Sequence, residues 1–394
     1  MVTKTALLIK TSLSIFFAVL LLTNCVGKTT TVPPSDAKKA ESELLADNTN
    51  TTESEQIADP LILDGRPYVG YQGKAYRKDE AELITSLTCN FNPDAAIRWH
   101  SLEGVEQLVN LKRLTVDGEN LSMIDFSPLS PLSNLESLYF EGITHLPDLT
   151  VLKQHLSYIG IGSSRRYTRY ERDSSLENLE GIGAPNIKRI EIFNMGEGIN
   201  SLAPLNNLPS LEDLKITSMG STTLRIADMS NLPSLKNLRL YIGAQIDLQG
   251  IENMPALEEL WLSDTNPFNI EGIGKLKNLW RLYLKLTSHE ASLEFLRDMP
   301  NLSELGLEAN KKGYPTRIFE PYQVLDVSPL ATLKNLRMLD CTDFIIKNIA
   351  TLDVLNALSI QDDESPGYIY LAGCRFYDEK EKSRHPLVLE YPVK

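Results

Sequence analysis

The sequence predicts an α/β solenoid, a horseshoe whose short parallel strands line a concave β-sheet and whose convex side is mostly 3₁₀ or other short turns. Three observations predict it. A heptad with apolar residues at its second, fifth and seventh positions recurs eleven times between Asn110 and Ile360. Successive copies stand mostly 21 to 24 residues apart, with two long spacings of 31 and 34. A second apolar unit precedes most copies, as in FSPLSPL (126–132) and LAPLNNL (202–208), and its Gly, Pro and Asn favour tight turns over long helices. A unit this short cannot bury its own apolar face, so neighbours must stack into one continuous core.

Residues 1–24 stand outside that pattern. Lys4 and Lys10 precede an apolar run of ten, LSIFFAVLLL (13–22), which is the charged and apolar arrangement of a secretory signal and too short to span a bilayer. The stretch LLTNC (21–25) resembles a bacterial lipobox, although Asn24 is bulkier than the small residue usual before the cysteine. The resemblance implies that Cys25 is lipidated and becomes the mature N-terminus, and two acyl signals suffice for stable anchoring. The competing reading is an ordinary secreted protein with an incidental cysteine. Val26 is not an acidic retention signal, which favours an outer membrane or cell-surface location in a bacterium.

Residues 25–59 are rich in Thr, Ser, Asp, Glu, Lys and Asn and read as a disordered tether, because they carry too little apolar surface to offset the entropy of ordering. GKTT (27–30) lacks the earlier glycine of a phosphate loop. Removal of residues 1–24 takes away two lysines and no acid, moving the formal charge from −13 to −15. So acidic a chain is a poor nucleic-acid binder.

Residues 60–82 are expected to form an N-terminal cap, and 83–360 the repeats. NLKRLTV (110–116), SLEDLKI (210–216), ALEELWL (256–262), NLWRLYL (278–284) and VLNALSI (354–360) are typical copies. They resemble the short bacterial leucine-rich repeats of the internalin type, whose core is L-x-x-L-x-L. The asparagine expected after each strand is mostly absent, with Asn194 and Asn266 near that place, which puts the usual asparagine ladder in doubt. Residues 361–394 alternate as one or two terminal strands and are read as a C-terminal cap. Cys89 and Cys341 fall at seventh, inward positions and are expected as buried thiols; a bond between Cys341 and Cys374 is the alternative.

In such a strand the apolar residues face the core and those between them face the concave wall. Trp261, between Leu260 and Leu262, is therefore a concave residue. The sixth- and eighth-position rows gather aromatic and basic residues in the middle repeats: Phe193, Lys215, Arg239, Tyr241, Trp261, Tyr283 and Lys285, with Arg281 beside them. Asp117, Glu141, Glu308 and Asp340 mark either end. Tyr, Trp and Arg dominate protein interfaces, but they also stack well across strands as sheet stabilisers. The long spacings hold insertions on one edge. One carries Arg165, Arg166, Tyr167, Arg169 and Tyr170, and the other Lys311, Lys312, Tyr314 and Phe319.

Nothing points to catalysis. The five histidines lack metal-ligand spacing, and there is no nucleophile elbow or cysteine–histidine motif. No cofactor or metal is expected. Two readings follow: a lipid-anchored surface protein that binds a protein or glycan through its concave face, or an envelope scaffold lipoprotein with no exchangeable ligand.

Overall fold

The computed structural model describes residues 59–70, 74–152, 156–162, 176–194, 199, 201–218, 222–243, 245–286, 290–309, 323–355, 368–370, 374–376 and 388–389. All lie within one compact unit, Ala58–Lys394. Its spine is a single 13-stranded sheet. In chain order the strands are β1 (Ser86–Asn90), β2 (Arg113–Asp117), β3 (Ser137–Glu141), β4 (Tyr158–Ile161), β5 (Arg189–Asn194), β6 (Asp213–Ser218) and β7 (Asn237–Ile242). They continue as β8 (Glu259–Ser263), β9 (Arg281–Leu286), β10 (Glu304–Ala309), β11 (Met338–Thr342), β12 (Tyr368–Tyr370) and β13 (Val388–Leu389). Every pair of neighbours is parallel, and the fifth heptad positions meet in register, as in Leu214↔Leu238↔Leu260↔Leu282↔Leu305↔Leu339.

The apolar positions explain this order. Second, fifth and seventh positions are buried from Leu111 through Cys341, and the return segments add a further layer that includes Leu205, Ile251, Leu296 and Leu330. Those segments turn in short 3₁₀ helices. Proline opens Ser127–Leu129, Ala203–Leu205 and Ser328–Thr332, where its fixed φ suits the first turn and its missing N–H goes unneeded. Before four others stands a left-handed residue, Gly104, Gly250, Asn269 or Asn348. Gly104 (φ +89°) is one such position, and a Cβ there would come within 2.4 Å of the Ile62 carbonyl oxygen.

An asparagine ladder is present, but it enters the strands instead of following them. The first-position amides of Asn110, Asn134, Asn278, Asn301 and Asn335 each donate to a backbone carbonyl of the preceding coil, those of Glu82, Val109, Pro255, Lys277 and Pro300. Asn266, by contrast, opens a short strand of its own (Asn266–Phe268) in a three-stranded parallel side sheet. A four-stranded side sheet follows over later repeats. Replacing Asn278 with aspartate keeps its size and removes the donor. It is expected to lower stability by about 0.5–1 kcal/mol in chemical denaturation; unchanged stability would mean that the ladder is ornamental.

Two expectations need correction or detail at the C-terminal end. Leu355 is not the second position of a strand heptad. It closes the 3₁₀ turn Ile349–Val354, as Leu276 and Leu333 close theirs. The strand that pairs with β11 is β12, Met338 lying opposite Tyr368, and β13 pairs beyond it, so the sheet continues past residue 360. The three cysteines among the described residues are thiols: Cys89 and Cys341 are buried, and Cys374 Sγ accepts the Phe344 N–H and donates to the Cys341 carbonyl, each at 3.3 Å. Burial pushes the Cys374 thiol up to about 12, which makes it a poor nucleophile.

At the other end the hairpin Ile62–Leu63/Arg66–Pro67 closes the core over Leu61 and Leu63. Its turn residue Asp64, in the left-handed region at φ +50°, points its carboxylate inward. That carboxylate accepts the backbone N–H groups of His100 and Ser101, the Ser101 hydroxyl and the Arg66 guanidinium, at 2.8 to 3.1 Å.

Candidate interaction surface

The concave wall is built from three rows of outward side chains per strand, at the fourth, sixth and eighth heptad positions. Phe193, Lys215, Arg239, Tyr241, Trp261, Arg281, Tyr283 and Lys285 all stand on this one face, spread over β5 to β9. The Lys215 ammonium lies 4.9 Å from the Phe193 ring centre and 5.8 Å from that of Tyr241, on the two strands that flank its own, a cation held between two aromatic rings. Trp261 and Tyr283 stack at 4.6 Å with planes 8° apart. The Tyr283 ring leans over β10 at Gly306, where a Cβ would stand 2.3 Å from Tyr283 Cδ2. Gly160 plays the same part for Tyr139 and Tyr158, whose ring centres are 5.1 Å apart.

Apart from Arg281, the fourth-position row is what reading the sixth and eighth rows missed. It also supplies Tyr158, Arg189, Asp213, Glu259 and Glu304, and the last three of these bind Arg239 and Arg281. Arg239 reaches Asp213 at 3.4 Å and Glu259 at 3.0 Å. Arg281 reaches the same Glu259 at 3.5 Å and Glu304 at 2.6 Å. The result is an alternating chain, Asp213–Arg239–Glu259–Arg281–Glu304, across β6 to β10. Arg281 also lies 4.4 Å from the Trp280 ring centre. Burial opposes the charge on Arg281, but the Glu304 hydrogen bond and the two carboxylates hold it above its ordinary value. Strand alternation in the same heptads carries the signal for this row; its pairing became visible only with the register.

A second polar cluster sits on β4 and β5. The Tyr158 hydroxyl donates to Glu191 at 2.8 Å, and Arg189 reaches the other Glu191 oxygen at 2.6 Å. Burial, followed by that bond to Glu191, raises the Tyr158 hydroxyl well above its usual range. Burial works against the Glu191 charge, yet the Arg189 and Tyr158 bonds keep its carboxyl below the ordinary value.

Toward the C-terminal end the balance is acidic. Tyr283 is raised by burial and then by the charges of Glu308, Asp340 and Asp264. Asp340 is pushed up to about 6, by burial first and by Glu308, against a weak bond from Thr342. The folded protein thus keeps this proton up to about pH 6, while the unfolded chain releases it near 3.8. The stabilisation is full below 3.8 and is lost as pH rises through 6. Asp340→Asn is therefore expected to be more stable than the parent at neutral pH, by on the order of 1 kcal/mol after allowing for solvent screening. The gain should vanish in melts near pH 3.5; a gain independent of pH would refute the assignment.

The insertion residues Arg165, Arg166, Tyr167, Tyr170, Lys311, Lys312 and Tyr314, and Cys25, lie outside the described residues.

No protein-family model matches the sequence, and no curated protein sequence does either. Among solved structures, an internalin of Listeria monocytogenes (inlF) superposes with a TM-score of 0.51 at 18% identity, over 82% of this chain and 91% of that one. Internalin C2 of the same organism gives a TM-score of 0.35 at 18% identity, over 60% and 85%. A leucine-rich-repeat protein of Leptospira interrogans gives 0.32 at 16%, over 83% and 99%. With the in-register parallel sheet and its 3₁₀ returns, the first of these fixes the architecture: the chain folds as a leucine-rich-repeat solenoid.

Proposed function

We propose that this is a lipid-anchored protein displayed at a bacterial surface, binding a protein partner through the concave face of its solenoid. The observation that carries the reading is the Trp261–Tyr283 stack with the aromatic-flanked Lys215 beside it, on one face of the sheet. Stacked rings give a partner large contact area at little cost in conformational freedom, and solenoids commonly bind on this face. The charged and apolar stretches before LLTNC and the polar residues 25–59 support export, lipidation at Cys25 and display on a tether.

A scaffold without an exchangeable ligand is favoured by one feature: the arginines are largely satisfied within the sheet. Photo-crosslinking in producing cells separates the two. A crosslinker at Ser263, on the concave wall, is expected to trap a protein that one at Lys277, on the return side, does not. Trp261→Ala with Tyr283→Ala should abolish the product. Equal products at both positions, or none at Ser263, would favour the scaffold. Cys25→Ser is expected to abolish incorporation of labelled palmitate; persistent labelling would remove Cys25 as the lipid site.

A further inference from the structure

Apolar side chains that escape the core are unevenly placed. Among the described residues seven large ones are exposed, and six of them, Ile62, Val69, Leu83, Ile97, Val109 and Met123, stand at the N-terminal end of the body, with Phe268 the exception. Singly exposed apolar residues are ordinary, but three of these share a place. In the cap hairpin Leu61 and Leu63 point into the core, so alternation turns Ile62 the other way. Its cross-strand partner Pro67, and Val69 two residues further on, lie on that same outward side. Leu83 reaches the end of the body by another route. It stands in register with the first-position Asn110, whose amide reaches back to the Glu82 carbonyl of the preceding coil. β1 is the edge strand of the sheet, so Leu83 has no earlier strand coil to reach and is 66% exposed. The Gln107 amide holds the Ile62 carbonyl at 3.1 Å, so one short stretch, Gln107–Asn110, secures the chain at both Ile62 and Glu82. The nearby charges are paired: Lys74 meets Glu80 at 3.2 Å and Arg77 meets Asp79 at 3.0 Å.

We infer that this apolar end of the body rests on the phospholipid bilayer, with Ile62, Val69 and Leu83 dipping into the headgroup region. The inference rests on the reading of Cys25 as the lipid site, and it adds a second contact to that anchor. The occupant follows from the course of the chain. The described body begins at this end, at Asp59, and 33 residues separate it from Cys25. A tether of that length spans roughly 30 Å, so this end is the part of the body that the anchor delivers to lipid. A second copy of the chain is a poorer occupant, because a stable protein interface takes roughly 20–30 residues a side and the outward side offers Ile62, Pro67, Val69 and Leu83. A bilayer needs no matching surface, and the anchor supplies by tethering the affinity that so small a patch lacks. Paired charges beside the patch suit a headgroup layer that carries both signs. With this end down, the coils stack away from the membrane and the concave wall opens sideways, clear of the lipid.

The test uses the full lipidated chain, reconstituted in vesicles of phosphatidylethanolamine and phosphatidylglycerol, with one fluorophore on an introduced cysteine. Cys89 and Cys341 are buried and burial raises the Cys374 thiol, so an exposed new thiol takes the label first. A label at Val69→Cys is expected to lose about half its fluorescence to lipids bearing a nitroxide at headgroup depth. One at Lys334→Cys, exposed and ten strand spacings or about 50 Å along the sheet, is expected to lose none. Ile62→Ser with Leu83→Ser should leave urea unfolding unchanged, since both side chains face away from the core, and should restore the fluorescence at position 69. Equal quenching at 69 and 334, or none at 69, on chains that float with the vesicles would overturn the contact and leave the anchor standing. Quenching that survives the double serine variant would overturn it too, because tethering alone would then account for the signal. Energy transfer between position-69 labels on two copies, persisting as the vesicles are diluted with further lipid, would assign the patch to a second copy. A parent chain that does not float would remove the anchor reading and this inference with it.

Discussion

Asp64→Ala is expected to lose about 3 kcal/mol of stability, a large cost for a residue in a turn. Its carboxylate side chain is only 3% exposed and ties three parts of the N-terminal end together: the hairpin turn, Arg66 and the backbone at His100–Ser101. Removing it takes the acceptor away from two backbone N–H groups and a hydroxyl at once, which is the costly side of hydrogen-bond loss. The hairpin should then lift from Leu61 and Leu63 and expose the end of the core. Urea unfolding gives the magnitude, and hydrogen exchange at residues 61–69 shows whether the loss is local. Arg66→Ala is the internal comparison, expected to cost under about 1 kcal/mol because that side chain is 38% exposed. Equal losses in the two variants would mean that the carboxylate's backbone bonds contribute little.

Glu259→Ala is expected to cost about 2 kcal/mol, between the values for surface and buried pairs, since the carboxylate is only 14% exposed. It stands between Arg239 and Arg281, so its removal deprives two guanidiniums at once and leaves like charges on flanking strands. A double-mutant cycle with Arg239→Ala should give a coupling of about 1 kcal/mol that shrinks with added salt. A loss no larger than that of Glu258→Ala, its sequence neighbour, would show that the chain of charges is spectator chemistry.

The core was legible because the heptad states it. Positions two, five and seven are apolar in nearly every copy, and alternation assigns the rest to the other face. Leu355 went astray for a definite reason: Leu355, Leu358 and Ile360 satisfy the heptad spacing, but Leu355 equally satisfies the last position of a 3₁₀ turn, and only the turn's own residues, Ile349–Val354, decide between them. The side sheets were invisible because their strands, such as Leu224–Arg225 and Phe344–Lys347, are two to four residues long, too short for alternation to stand out. Trp261 was placed on the concave wall from its neighbours alone. Its stack on Tyr283 also requires the glycine at 306, a residue that sequence reads as merely small. The neutralising acids were hidden differently. Asp213 and Glu259 meet Arg239 across 26 and 20 residues, distances that acquire meaning only when the coil length is known.

The alternating charges also bear on how such a chain can change. The leucine layers are nearly interchangeable, so excising one whole coil, Leu257 to Asn278, would leave a core that still stacks. On the wall the same excision would bring Arg239 beside Arg281 and discard the carboxylate that both share. Inside, the coils are copies; outside, each has a fixed address. Loss or duplication of a single coil in this stretch would be met first by repulsion on the surface, and removal of an adjacent pair would disturb that order less than removal of one.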